Sequence, residues 1–311
     1  MSKIKFSYDD DIINPCWDNV FKSVFTRDTA PSRGALRQVI SAYIGRPVEL
    51  LTVTANEPPP TSLRDRQIRF DIAVKFNNGQ LGNVEMTTNP KTWEFQRLEY
   101  HVCKLFAGQD IRGDDKSYRD LQRTYQISLL NESLFKQDDA LIHRFEYYDQ
   151  EHNLSLGGKT TIITVEIEKA ERIVAKPIVE MSSAERWAVF FRYITQPRQR
   201  ELVNELVACE EGIEMASEVL LTVSRDEVER AMLDHEYKNA LDMQSLLVEA
   251  KREGLAEGKA EGKVEGLAEG KMEGLAEGEN KVLELMEQGY TSEQIRAELS
   301  SSGEEENRHG K

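Results

Sequence analysis

The chain has 311 residues, of which 39% are hydrophobic and 31% charged, and it carries a formal net charge of −15. This length accommodates one large domain or two modest ones. The acidic excess lies in the last third, because residues 1–200 contain 28 basic and 27 acidic side chains whereas residues 201–311 contain 12 and 28. The overall charge therefore does not exclude nucleic acid as the partner of the first 200 residues.

Several other classes of protein are not expected. No run of 18 consecutive apolar residues occurs, and residues 1–15 lack the apolar segment of a signal peptide. The sequence thus predicts a soluble, cytoplasmic protein that makes no membrane contact. The three cysteines are widely spaced and the five histidines form no HxxxH or HxH pair, so neither a disulfide framework nor a zinc site is expected.

The first half of the chain predicts two helices and then a β-hairpin. Apolar side chains recur at helical spacing in residues 16–26 and 33–44. A half-buried strand follows a Pro-rich loop, because apolar residues occupy alternate positions at Ile68, Phe70, Ile72, Val74 and Phe76. An Asn-Asn-Gly turn at 77–79 leads into a second strand at 81–87.

The remaining elements predict an α+β fold. A helix is expected at 92–109, and strands are expected at 124–130, 146–148 and 161–168. After residue 168 the pattern is helical. The chain order is helices, then strands with one intervening helix, then helices again. This order indicates a mixed sheet flanked by helices rather than a doubly wound repeat.

Residues 253–278 repeat the tetrad Glu-Gly-x-x. Seven glycines stand in register, at Gly254, Gly258, Gly262, Gly266, Gly270, Gly274 and Gly278. A helical stripe of small residues would permit close approach of a second helix, but each helical glycine costs roughly 0.8 to 1 kcal/mol relative to alanine. The segment is therefore either a helix stabilised by homo-oligomerisation or a flexible spacer.

The hairpin carries the one arrangement that suggests chemistry. A three-residue loop with Gly79 in the left-handed region sets a register in which paired residue numbers sum to 156. Asp71 then lies opposite Glu85, and Arg69 lies opposite Thr87. Directly opposed residues point to the same face of a sheet, with Cβ atoms about 4.5 to 5.5 Å apart.

Two opposed carboxylates favour a metal site. Like charges at opposed positions destabilise a sheet, and Mg²⁺, or another divalent cation such as Mn²⁺ or Ca²⁺, would neutralise the pair because hard cations prefer carboxylate oxygens. Such an ion can polarise a phosphodiester. The alternative is that Asp71 and Glu85 are ordinary solvated strand carboxylates.

These motifs occur in an order that resembles a known family. In chain order they are WDNVFK at 17–22, the strand with Asp71, the NNG turn, NVEMT at 83–87, Arg97 and Tyr100, and the Glu-Gly tail. Together they resemble the recombination-promoting nucleases, which are transposase-associated PD-(D/E)XK nucleases. The resemblance implies a restriction-endonuclease-like core and a divalent-metal-dependent DNA endonuclease. In this interpretation Asp71 and Glu85 are the motif acids, and Asp18 supplies a further carboxylate near the metal.

The last motif position departs from the family pattern. Most PD-(D/E)XK enzymes have lysine there and this family usually has glutamine, whereas this chain has Thr87. A threonine hydroxyl has neither the charge nor the reach of those side chains. Arg69, opposite Thr87, is the first candidate to replace the missing group, and Lys75 and Lys91 are others.

Contacts with DNA are expected next to the carboxylates. Between Lys22 and Lys75 there are nine basic and five acidic residues, and a local basic surplus suits the phosphate backbone. The candidate DNA-binding residues are Lys22, Lys75, Lys91, Arg97 and Tyr100. No element with the character of a base-reading helix is evident, so low sequence specificity is expected.

The chain is thus predicted to have four parts: a PD-(D/E)XK nuclease-like core at 1–135, a strand extension and helical region at 136–250, the repeat at 251–280, and a small helical tail with a disordered end at 281–311. Two functions compete, and a third, a DNA-joining transposase, is disfavoured because no strand-transfer element is evident. One is a metal-dependent endonuclease of recombination or mobile elements. The other is a catalytically weakened protein of the same fold that acts in DNA binding or assembly.

Overall fold

A computed structural model describes residues 4–49, 51–53, 71–91, 93–111 and 116–299. Its helices are α1 (Asp18–Phe25), α2 (Ala30–Ile44), α3 (Glu94–Ala107), α4 (Ala170–Ile173), α5 (Ser183–Tyr193), α6 (Arg200–Cys209), α7 (Glu211–Arg225) and α8 (Glu227–Glu287). Its strands are β1 (Leu51–Val53), β2 (Ile72–Phe76), β3 (Leu81–Thr87), β4 (Thr124–Leu130), β5 (Ile142–Phe145), β6 (Tyr148–Asp149), β7 (Leu154–Ser155) and β8 (Thr160–Glu166).

Six strands form one mixed sheet in the order β1-β2-β3-β4-β8-β5. The central pairs β3–β4 and β4–β8 are parallel, and the outer pairs are antiparallel. Strands β6 and β7 pair separately as a small antiparallel ribbon. The predicted α+β class, with a mixed sheet flanked by helices, is confirmed.

The hairpin register is the predicted one. Ile72 pairs with Val84 and Ala73 pairs with Asn83, so the paired numbers sum to 156. The loop closes through hydrogen bonds between Phe76 and its neighbours across the turn, and Gly79 adopts a φ of 83°, which a side chain would disfavour. The first part of the predicted strand, including Arg69, lies outside the described residues.

Strand alternation gives the sheet one apolar face and one polar face. The apolar face joins the main hydrophobic core with helices α1, α2, α5 and α7, and its strand residues are Ile72, Val74, Val84, Met86, Ile127, Leu129, Ile163 and Val165. The opposite face is contacted by α3. Its buried polar side chains are Asn83, Glu85, Gln126, Ser128 and Thr164. Buried polar groups are usually hydrogen-bonded, and Asn83, Glu85, Gln126 and Ser128 form such bonds with one another.

The chain divides into two compact units, Met1–Lys238 and Asn239–Lys311. The first unit contains both the region predicted as the core, 1–135, and most of the region predicted at 136–250. Within the second unit the Glu-Gly repeat is helical, because α8 continues through it to Glu287. Gly289 has a φ of 85° and is followed by a short helix at 292–299. In the part of the chain that the structure describes, no helix combines the length and apolar character needed to cross a membrane.

Candidate active site on the hairpin

The carboxylates of Asp18 and Asp71 are joined by one lysine. Helix α1 turns Val20, Phe21, Val24 and Phe25 into the core, so its opposite side presents Asp18 and Lys22 one turn apart. Lys22 Nζ lies 2.8 Å from Asp18 Oδ2 and 3.0 Å from Asp71 Oδ1. Lys22, predicted to contact DNA, is therefore part of the carboxylate cluster.

Asp71 stands one residue before β2, beside the end of β3. Its side chain is 18% exposed, and its Oδ2 accepts a 3.3 Å hydrogen bond from the backbone N–H of Met86. Burial, followed by the negative charges of Asp18 and Glu85, raises the pKa of Asp71 to about 7, although Lys22 opposes this shift. The positive charge around Asp71 is thus insufficient to keep this carboxyl fully ionised at neutral pH.

Glu85 lies at the centre of the polar sheet face and is only 1% exposed. Because residues two apart on a strand share a face and β4 runs parallel in register with β3, its neighbours are Asn83 and Ser128. The Ser128 hydroxyl donates to Oε1 at 2.9 Å, and the Asn83 amide donates to Oε2 at 3.3 Å. From α3, Arg97 Nη2 lies 3.0 Å from Oε1 and His101 Nδ1 lies 3.2 Å from Oε2.

These partners keep Glu85 ionised in spite of its burial. Burial alone raises the pKa of the Glu85 carboxyl, but the hydrogen bond with His101, the charge of Arg97 and the hydrogen bond from Ser128 outweigh it and lower the pKa below its ordinary value. The two motif carboxylates therefore have pKa values shifted in opposite directions. Opposite shifts at neighbouring carboxylates are typical of catalytic sites, although structural ion pairs also produce them.

Thr87 and Arg97 meet at the end of β3. Arg97 Nη2 donates to Thr87 Oγ1 at 2.9 Å, in addition to its contact with Glu85. Glu94, in the first turn of α3 and 2% exposed, accepts a 3.0 Å hydrogen bond from Arg97 Nε and also contacts Nη2. Burial lowers the pKa of Arg97, but Glu85 and Glu94 reverse this effect and raise it. Arg97, predicted to contact DNA, thus has a guanidinium that faces the carboxylates.

The remaining predicted residues lie around this cluster. Lys75, on β2, is exposed, and Lys91 is partly exposed in the segment that precedes α3. Tyr100, on α3, is 50% exposed. These three side chains are available to a ligand in solution. Arg69 was the first candidate to compensate for Thr87, and its position is outside the described residues.

Sequence reasoning missed several members of the cluster, namely Asn83, Glu94, His101 as a partner of Glu85, and Ser128. Three of them carried a usable signal. Glu94, Arg97 and His101 are spaced i, i+3 and i, i+4, so they share one face of α3. Asn83 is two residues before Glu85 and must share its sheet face. Ser128 carried no such signal, because the parallel pairing of β3 with β4 is a long-range property.

The donor chemistry of this cluster suits a hard divalent cation. Among the described residues, no group of three or more His, Cys, Asp or Glu side chains has the arrangement of a preformed metal site. However, carboxylate oxygens are the ligands that Mg²⁺ prefers, and burial together with the negative charges of Asp18 and Glu85 raises the pKa of Asp71. The ammonium of Lys22 holds Asp71 Oδ1, so a cation bound to that oxygen would take the place of this ion pair.

Comparison with known proteins supports the resemblance deduced from the motifs. A family described as PD-(D/E)XK nuclease family transposase matches residues 15–250, which is more than half of the chain. The description supports a nuclease-like function in mobile elements. No curated protein and no solved structure matches the chain. The match over residues 15–250 confirms the predicted family, and the chain therefore belongs to the PD-(D/E)XK nuclease family of transposases.

Proposed function

We propose that the protein is a divalent-metal-dependent DNA endonuclease with low sequence specificity that acts in recombination or mobile elements. The observation that carries the proposal is the pair of oppositely shifted motif carboxylates, Asp71 with a pKa raised to about 7 and Glu85 with a lowered pKa, within one cluster. Paired carboxylates with such different environments are a common basis for hydrolytic chemistry.

In this proposal Asp71 and Glu85 hold the ion and Asp18 assists them. When bound, Mg²⁺ or a related ion such as Mn²⁺ supplies Lewis-acid polarisation of a phosphodiester oxygen. In the absence of the ion, Lys22 compensates the negative charges of Asp18 and Asp71, since its ammonium contacts both carboxylates. The Asn83 and Ser128 side chains hold Glu85 in one orientation.

The surrounding surface would bind the DNA backbone. Lys75, Lys91 and Tyr100 are at least partly exposed, and cationic and aromatic side chains suit phosphate and sugar groups. Such contacts carry little sequence information, which supports low sequence specificity.

A second candidate function has its own observation. Both oxygens of Glu85 already accept hydrogen bonds from protein side chains, and Thr87 stands at the motif position where lysine or glutamine is usual. A carboxylate that already accepts this many hydrogen bonds binds a metal only if one of those hydrogen bonds is broken. The alternative is therefore a catalytically weakened protein of this fold that acts through DNA binding or assembly.

Nicking of supercoiled plasmid in Mg²⁺, Mn²⁺ or Ca²⁺ distinguishes the two functions. For the endonuclease we expect cleavage with at least one of these metals, and we expect Asp71→Asn and Glu85→Gln to abolish it. Glu151→Gln, an exposed carboxylate change in the turn between β6 and β7, serves as the matched control. If the wild-type protein binds the plasmid but cleaves it with none of the metals, the second function is favoured.

We also propose that the repeat at 251–280 mediates homo-oligomerisation. Along this part of α8 the apolar side chains are exposed, at Leu255, Val264, Leu267, Met272 and Leu275. A Cβ atom added at Gly254, Gly258 or Gly262 would meet no atom within 4 Å, so the glycine stripe is open to a partner helix. Sedimentation of the full chain and of a chain truncated after Ala250 tests this, since only the full chain should form oligomers.

A further inference from the structure

The phosphodiester hydrolysis proposed above is favoured by a fixed positive charge beside the carboxylates. Negative charge builds up on the phosphoryl oxygens during phosphodiester hydrolysis, and a preorganised cation stabilises it most effectively where water is excluded. Thr87 offers only a neutral hydroxyl at the end of β3. The cation must therefore come from another element of the fold.

Arg97 has the required position. Its Nη2 lies 3.0 Å from Glu85 Oε1 and 2.9 Å from Thr87 Oγ1, so the guanidinium lies beside both the motif glutamate and the last motif position. Its side chain is 29% exposed, which leaves part of it open to a ligand. The contacts with Glu85, Glu94 and Thr87 use Nε and Nη2 and do not use the donors of Nη1.

Glu94 fixes this arrangement. Its carboxylate is 2% exposed, and one of its oxygens, Oε1, accepts hydrogen bonds from both Nε and Nη2 of Arg97. Both residues belong to α3, which packs on β3, β4 and β8. The guanidinium is thus anchored at two points, one on the helix and one on the sheet.

Lys22 is the other cation in the cluster, but its situation differs. Its ammonium lies between Asp18 and Asp71 and compensates two carboxylates that would otherwise repel each other. A cation bound at Asp71 would displace it. Arg97 instead contacts Glu85, Thr87 and Glu94.

We infer that Arg97 supplies, from α3, the positive charge that a lysine at residue 87 would supply, and that Glu94 is the positioning residue that holds it there. This inference rests on the proposed endonuclease function. It also replaces the sequence-based interpretation of Arg97 as a contact to the DNA backbone.

The test compares Arg97→Gln, Arg97→Lys and the double variant Arg97→Gln with Thr87→Lys. Removing one preorganised donor should slow single-turnover plasmid cleavage about 100-fold or more. Arg97→Lys should retain part of the rate, because lysine keeps the charge but lacks the planar fork. The double variant should cleave at least about tenfold faster than Arg97→Gln, since the lysine at residue 87 restores a cation beside the carboxylates.

Two measurements separate this role from structural support and from DNA contact. Thermal unfolding of Arg97→Gln reports any loss of folded protein, and fluorescence anisotropy with a labelled duplex in Ca²⁺ reports DNA affinity. We expect the Kd for DNA to change less than about threefold, because Arg97 acts on the reacting group rather than on the wider backbone. Lys104→Gln removes a charge elsewhere on α3 and is the matched control.

Binding of Mn²⁺ to DNA-free protein gives a readout that does not depend on turnover. Because the guanidinium lies beside Glu85, Arg97→Gln should bind Mn²⁺ several-fold more tightly in calorimetry, whereas Lys104→Gln should not. The inference is overturned if Arg97→Gln cleaves at the wild-type rate, if its rate and DNA affinity fall in proportion, or if Thr87→Lys restores nothing. An inactive wild-type protein would overturn the proposed function as well, so the two failures are distinguishable.

Discussion

The ammonium nitrogen of Lys22 lies 3.0 Å from Oδ1 of Asp71, and the same ammonium contacts Asp18 at 2.8 Å. Burial lowers the pKa of Lys22, but Asp71 and Asp18 outweigh burial and raise it. A single lysine therefore compensates two carboxylates, and Asp71 retains a raised pKa in spite of this neighbour. The charge balance of the cluster makes Asp71 the group whose ionisation is most easily changed.

The first prediction concerns that ionisation. In metal-free protein the Asp71 carboxyl should titrate with a midpoint of about 7, and Lys22→Met should move the midpoint to higher pH because the lysine favours the ionised form. Carboxyl ¹³C NMR measures both midpoints, and the Asp71→Asn variant identifies the resonance. A midpoint near 4 in the wild-type protein would contradict the buried, negatively charged surroundings assigned to Asp71.

The second prediction is that Asp71→Asn stabilises the fold above neutral pH. The pKa of Asp71 rises from 3.8 in the unfolded chain to about 7 in the folded one, so the folded state binds the extra proton between these values. Stability from this group is therefore present at low pH and is lost as pH rises through about 7. At about pH 8 we expect Asp71→Asn to gain about 1 to 3 kcal/mol in urea unfolding, and at about pH 4 we expect little change.

In contrast to Asp71→Asn, Glu85→Gln should destabilise the fold at neutral pH. Because the pKa of Glu85 is lowered on folding, its ionised carboxylate contributes stability above the unfolded value of 4.5 that is lost as pH falls below it. Replacement removes one of the two carboxylate partners of Arg97, since Glu94 remains, and breaking a buried ion pair costs about 3 to 5 kcal/mol. Urea unfolding at neutral pH measures the loss. Equal effects of Asp71→Asn and Glu85→Gln would show that the two carboxylates do not have distinct environments.

The hairpin explains how much of this cluster the sequence could predict. Alternating apolar residues and the Asn-Asn-Gly turn act locally, so they correctly predicted the register in which Ile72 pairs with Val84 and Ala73 pairs with Asn83. The packing of α3 against the polar face of the sheet is a long-range property, and the sequence therefore indicated Arg97 as a candidate DNA-binding residue and not as a partner of Glu85. The same holds for Ser128, whose approach to Glu85 depends on the parallel pairing of β3 with β4.

The third prediction separates DNA-backbone contacts from residues of the cluster. Lys75 is exposed on β2, so Lys75→Gln should weaken DNA binding at low salt and reduce the slope of log Kd against log salt by about one. Lys5→Gln changes another exposed lysine, near the start of the chain, and is the charge-matched control. If both variants give the wild-type slope in anisotropy titrations, the DNA surface does not include Lys75.

The fourth prediction concerns the glycine stripe of α8. In an isolated helix, alanine at Gly258, Gly262 and Gly266 should raise helical stability by about 0.8 to 1 kcal/mol per position, and each new Cβ has open space within the chain. If a second helix packs against the stripe, the same methyl groups should separate the helices and weaken self-association about tenfold or more. Sedimentation equilibrium of the triple variant measures this loss, and circular dichroism measures the gain in helix. Alanine at the exposed Glu261 and Glu265 is the control for helix propensity. A triple variant that associates as tightly as the wild type would exclude the glycine stripe as the interface, whereas weaker association with greater helicity would assign the close contact to the glycines themselves.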